Sequence, residues 1–216
     1  MTASNPKLEI QSPKLFTTSA IIIGSSYGFI LVFPVLVAMM IVTVFHFGIL
    51  TFVIPLAAIV LATFFLPLGF GNPYIARLTR PLRPNLGPNQ DLWLVQLTRE
   101  PRVRSGIMAA LEDADDVGFL WYTDSTVEFS GDSVRLSVPY ANIMNLKQKN
   151  AGPRALFAYG QQTSFSVTGL GDTGLFRFSE RSSWILPDSR RTAERMYSRL
   201  RNKLDLPAPE QTGKPA

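Results

Sequence analysis

Between Lys14 and Arg77 the chain carries no Asp, Glu, Lys or Arg, and every formal charge lies outside that interval. A packed domain must turn one face of each element to water, so its surface elements rarely run this long without a charge. The apolar stretch from about 20 to 70 exceeds the ~20 residues that one membrane crossing needs and is long enough for two. The sequence therefore predicts a transmembrane α-hairpin within 19–71, with helices over 19–45 and 49–70 and a break at His46, Phe47 and Gly48. Strongly apolar residues contribute roughly −0.3 to −0.6 kcal/mol each to insertion, and no central charge opposes them. A secretory signal has an apolar region of only about 7–15 residues before its cleavage site; here the run continues into a second span.

The flanks set an expected orientation. Lys7 and Lys14 precede the first span, and Arg77, Arg80 and Arg83 follow the second, while the connection has no Lys or Arg. Basic flanks stay on the cytoplasmic side, so a two-span protein of the inner membrane with both termini cytoplasmic is expected. The three arginines are candidate contacts to an anionic membrane surface. Gly24 and Gly28 form a G-x-x-x-G pattern and are candidate helix-packing residues, within the hairpin or between copies. Pro34 and Pro55 each remove a backbone donor and predict kinks. His46, the only histidine, reads as a loop residue at the turn.

The remainder divides into a cytoplasmic amino-terminal segment (1–18), a Pro-rich juxtamembrane linker (72–91), a folded domain (92–204) and a polar, disordered tail (205–216). Within the domain, 92–98 and 118–122 read as strands and 105–116 as a short helix. Val127 and Phe129, then Val134, Leu136 and Val138, alternate with polar residues on either side of Gly131 and Asp132, the pattern of a hairpin with one apolar face. Weaker strands are expected around 144–147, 155–159, 165–168, 175–178 and 184–186. Pro187 and Asp188 then signal a helix start. Ala193, Met196, Tyr197, Leu200 and Leu204 recur at helical spacing, with Arg190, Arg191, Arg195, Arg201 and Lys203 mostly on the other side.

Residues 118–123, 127–132 and 134–143, in that order, resemble bacterial pleckstrin-homology-like domains, including the GRAM and YcxB-like groups. The resemblance spans roughly 92–204 and implies a small antiparallel sheet or barrel capped by a carboxy-terminal helix, in several members behind a two-helix membrane hairpin. The expected fold class is accordingly an α+β membrane protein of that plan. Phosphoinositide-binding members carry a basic cluster between their first strands. Here Arg99, Arg102 and Arg104 are followed by Glu112, Asp113, Asp115 and Asp116, which would repel phosphate, so headgroup recognition is not carried over.

The chemistry-bearing motifs are sparse. Absence of cysteine excludes disulfides, thiolate metal sites and cysteine nucleophiles. Gly169, Gly171 and Gly174 match G-x-G-x-x-G, but a strand-like segment follows where a dinucleotide site needs a helix, so a turn is expected. Asp113, Asp115, Gly118 and Asp124 mimic a calcium-loop spacing, but Val117 offers no oxygen and Glu is missing at the last position. A hydroxyl nucleophile would lack a histidine base in the domain, and the acids read as ordinary solvated carboxylates. Neither enzyme activity nor a cofactor is expected. No aromatic platform is interleaved with the helix arginines, so nucleic acid is not expected either. The expectation is an interaction module anchored in the lipid bilayer that recruits or regulates a protein partner, another membrane protein or a second copy. Its candidate partner-binding face is Arg190, Arg191, Arg195 and Arg199. The alternatives are an anionic-lipid sensor, or an accessory subunit of a membrane enzyme or transporter.

Overall fold

The computed structural model describes residues 5–20, 72–87, 90–101, 114–150, 161–170 and 174–205, with residues 23, 33–34, 37–41, 53 and 56–57. Strand alternation is clearest where the sequence alternates. β4 (Thr126–Gly131) buries every second residue, and β5 (Val134–Pro139) returns from the turn at Asp132 and Ser133 with Val134, Leu136 and Val138 facing inward. Around this hairpin stand β1 (Lys7–Ile10), β2 (Leu92–Glu100), β3 (Asp116–Tyr122), β6 (Ile143–Asn150), β7 (Gln161–Val167) and β8 (Leu175–Glu180). They form one eight-stranded sheet in the order β1-β5-β4-β3-β2-β8-β7-β6, antiparallel at every pairing.

Two meanders, β2 to β5 and β6 to β8, thus share one seam at β2 and β8. A 3₁₀ turn, Tyr140–Asn142, carries the chain from one to the other. Thr168 locks that corner, donating its N–H to the Asn142 carbonyl at 2.9 Å while accepting at its own carbonyl from Asn142 Nδ2 at 3.1 Å. Beyond it Gly169, at φ +89, comes so near Pro6 that a Cβ would lie 3.3 Å from the proline ring. The amino-terminal strand therefore reaches the far meander at one corner, and the sheet curls.

The concave face holds the main core. Val95, Leu97, Leu120, Phe129, Leu136, Phe165, Phe176 and Phe178 pack there beneath Met196 and Leu200 of α2 (Leu186–Lys203). A second cluster lies on the opposite face of β2 and β3. Phe16, Ile75, Leu94, Ala114, Val117 and Phe119 form it, Ile75 coming from the short helix α1 (Asn72–Leu78). Burial on both faces explains why Leu92 to Leu97 reads as a continuous apolar run broken only by Gln96.

The membrane hairpin is corrected here. Among the described residues no helix is long and apolar enough to cross a membrane. The expected α+β membrane fold gives way to an antiparallel eight-stranded sheet with one carboxy-terminal helix. The two-span placement in an inner membrane, with both termini cytoplasmic, loses its basis with it, as do the membrane and transmembrane designations. Hydropathy reports that side chains avoid water without reporting what covers them. Phe16 and Ile75, at the two ends of the uncharged stretch, pack in one cluster against the sheet; between them Ala20 and Met39 are buried, while Ile23, Phe33, Met40, Ile41, Val53 and Leu56 are exposed. Gly24, Gly28, His46 and Pro55 lie outside the described residues.

Smaller departures follow the same logic. The expected linker contains α1 and a 3₁₀ turn, Arg80–Leu82. The strand expected at 184–186 is instead a bend, after which Leu186 opens α2. Most of the helix expected at 105–116, and all of the strand at 155–159, fall outside the described residues; Asp116 itself opens β3.

Candidate docking groove beside the carboxy-terminal helix

α2 begins where Ile185 is still extended, at φ −120 and ψ 146, with Pro187 in its first turn. Proline is pre-organised for that position, where its missing N–H costs nothing. Asp188 in the first turn and Arg201 and Lys203 in the last complement the helix dipole. Leu186, Ser189, Ala193, Met196 and Leu200 face the sheet. Period 3.6 then fixes the outer face, where Arg190, Arg191, Glu194, Arg195, Ser198, Arg199 and Asn202 are exposed.

Along that face a groove of about 470 Å³ separates α2 from the entry to β2, lined by Thr192, Arg195, Ser198, Arg199 and Asn202 on the helix side and by Asp91 and Trp93 opposite. It adjoins a smaller hollow of about 150 Å³ that shares Asp91, Trp93 and Arg199 and adds Tyr122, Asp124 and Lys203. Trp93 and Tyr122 stand with ring centroids 4.8 Å apart, tilted by 47°. The Tyr122 hydroxyl donates to the Met196 carbonyl at 3.1 Å, and burial pushes its phenol pKa well up. Tyr122 therefore serves as a fixed neutral donor that ties β3 to the helix.

Two ion pairs cross the groove rim. Arg199 meets Asp91 at 2.9 Å and Lys203 meets Asp124 at 3.2 Å; all four are exposed, Asp124 fully. Exposed pairs of this kind contribute about 0–1 kcal/mol, so they orient side chains more than they hold the fold. Of the four arginines in the sequence-derived face, the structure brings Arg195 and Arg199 into the groove. Arg190 and Arg191 lie on the helix beyond it, Arg191 3.6 Å from Asp188. Arg77, Arg80 and Arg83 are exposed on α1 and the turn after it, and Arg83 borders a hollow with Pro84, Leu86 and Leu92.

Asp91, Trp93, Tyr122 and Asp124 were not legible as site residues. The available signal was the spacing of Arg195, Arg199 and Lys203, which puts three cations in one line along the helix. The other motifs resolve as structure. Gly169 and Gly174 flank the turn from β7 to β8, with no helix after it. Asp115 accepts the Arg99 N–H at 2.7 Å, and Gly118 lies inside β3, where calcium-loop geometry is impossible. Among the described residues no three His, Asp or Glu side chains converge as a metal site.

Such a groove can seat an extended segment, with carboxylates toward Arg195 and Arg199 and an apolar group toward Trp93. No family model, curated protein or solved structure matches the chain, and nothing in these comparisons identifies a pleckstrin-homology-like or GRAM domain.

Proposed function

We propose that this chain is a non-catalytic interaction module that binds a protein partner through the outer face of α2 and the groove beside it. The observation carrying this reading is the convergence of Arg195 and Arg199 with Trp93 along one groove. Arginine and tryptophan are the residue types that dominate binding energy at protein interfaces. The helix is also anchored for the task, since Met196 and Leu200 fix it on the core while the opposite face stays in water. Acidic side chains of the partner meet the arginines, and the small ion pairs at the rim exchange for intermolecular ones.

A photo-crosslinking residue at Ser198 in the full-length chain tests this. One partner is expected to crosslink through an acidic segment, and the combined Arg195→Glu and Arg199→Glu substitutions should weaken its capture at least tenfold at unchanged melting temperature. Equal capture by the charge-reversed protein overturns the reading.

A further inference from the structure

The two ends of the sheet differ in what they leave open. β1 is four residues long, whereas β6 runs for eight and, among the described residues, pairs only with β7 and stands last in the strand order. Met144, Asn145, Lys147, Lys149 and Asn150 are exposed, so no described element covers these side chains. An edge strand presents a row of main-chain donors and acceptors that can template another strand. In its first half β6 is irregular. The register to β7 shifts between Met144 and Lys147, and Asn145 adopts φ 54, a bulge of the kind that blunts an edge. From Lys147 to Asn150 the pairing with β7 is regular.

Side chains alternate there. Lys147 and Lys149 share one face and Gln148 the other. Gln148 pairs with Thr163 across the ladder, and Gln148 Nε2 and Thr163 Oγ1 are both buried with no hydrogen-bond partner. Buried polar atoms are nearly always satisfied. Thr163 shares the inward face of β7 with Phe165 and Val167 and is closed to solvent, whereas Gln148 is only half-buried and lies on the outermost strand.

We infer that the regular half of β6 is a strand-addition site for an extended acidic segment of a partner protein. The main chain of that segment continues the ladder, its carboxylates at alternate positions face Lys147 and Lys149, and a hydrogen-bonding side chain between them reaches Gln148. Such augmentation takes affinity from backbone bonds and selectivity from alternate side chains. Charge selects the occupant: a second copy laid antiparallel along β6 would set lysine against lysine, which is unfavourable across strands, whereas a strand with alternate acids is complementary. The site shares no residue with the α2 groove and does not depend on it.

The test uses the full chain and a fluorescein-labelled peptide alternating glutamate and threonine, followed by anisotropy. A second peptide carries N-methyl groups on alternate amides, which removes the main-chain donors of one edge while keeping every charge; both registers of methylation are made. Binding of the parent peptide is expected, with at least a tenfold loss for one methylated register. At least a tenfold loss is also expected for Lys147→Glu with Lys149→Glu, measured in a chain already carrying Arg195→Glu and Arg199→Glu so that the α2 groove cannot hold the peptide. The methylation comparison needs only the native chain, so misfolding of a variant cannot obscure it. Absence of binding to the chain with reversed α2 charges, equal binding by both methylated peptides, no loss on reversing Lys147 and Lys149, or dimers that form through β6 in sedimentation would each overturn the inference.

Discussion

At Asp116 burial and hydrogen bonding pull in opposite directions. Its carboxylate accepts N–H bonds from Val117, Asp132, Ser133 and Val134 at 2.8, 3.3, 2.9 and 2.7 Å, which favours the charged form. Desolvation outweighs them, with a small push from neighbouring Asp132, and the pKa rises from 3.8 to about 6. A carboxyl whose folded pKa is raised stabilises the fold fully below its unfolded value, and that contribution is lost as pH rises through the folded value. The expected loss between pH 4 and 7 is of order 3 kcal/mol, from two pKa steps of about 1.4 kcal/mol each. Denaturation of wild type and Asp116→Asn across that range isolates it: the stability of the variant relative to wild type should climb between about pH 4 and 6 and level off above, and a flat difference refutes the burial argument. The glycines beside this carboxylate are sterically required. A Cβ on Gly118 would stand 2.2 Å from the Ser130 carbonyl, an atom of the backbone that cannot swing aside. Gly118→Ala is expected to cost about 3 kcal/mol or more, whereas Gly87→Ala, with nothing within 4 Å, should leave the melting temperature unchanged within about 0.5 kcal/mol equivalent. None of this was legible locally. Asp115, Asp116 and Glu180 read as solvated acids, yet all three are buried. The Asp116 partners in the β4–β5 turn are 16 to 18 residues away, and no short-range pattern announces them.

At the scale of elements, legibility followed how far an element depends on its own sequence. α2 carries its own period, and the β4–β5 hairpin its own alternation and turn, so both were visible. β1 is four residues that become a strand only because β5 supplies the ladder, with Leu8 opposite Leu136, and it was missed. α1 is seven residues, below the length at which a helix stands alone in water; it exists because Ile75 docks beside Phe16. The amino-terminal strap that brings Phe16 there has a definable fastening. One oxygen of Asp132 accepts the successive N–H groups of Lys14, Leu15 and Phe16 at 2.7, 2.8 and 2.8 Å. Asp132→Ala removes the acceptor from three donors at once, and losing one such partner costs about 1–3 kcal/mol. Hydrogen exchange at residues 14–16 should accelerate at least tenfold while β7 and β8 keep their protection. Unchanged exchange at those amides would show that the Phe16 anchor alone holds the strap.

For the whole molecule the question is what makes two meanders one body. Among the described residues their one direct strand pairing is the seam of β2 with β8, where Leu97 lies opposite Phe178. Phe178 also projects into the space both meanders share. Its ring centroid is 5.7 Å from Phe129 of β4 and 5.5 Å from Phe165 of β7, so one side chain touches both halves beneath the helix. Helix α2 covers the same ground, with Met196 and Leu200 in that core. If this shared cluster makes unfolding cooperative, truncating its centre must weaken both meanders together. Phe178→Ala is expected to cost about 3–5 kcal/mol, the range for an aromatic removed from a core that cannot collapse around the cavity. Two probes check it. Trp93 fluorescence, read with Trp121 and Trp184 replaced by phenylalanine, reports the β2 meander, and exchange at Phe165 reports the other. Both should shift to the same lower denaturant midpoint in a single transition, because each half loses the ring that the other leaned on. A transition that splits, with the β2–β5 half holding its midpoint, would show that the seam is a joint between two cores and not the centre of one.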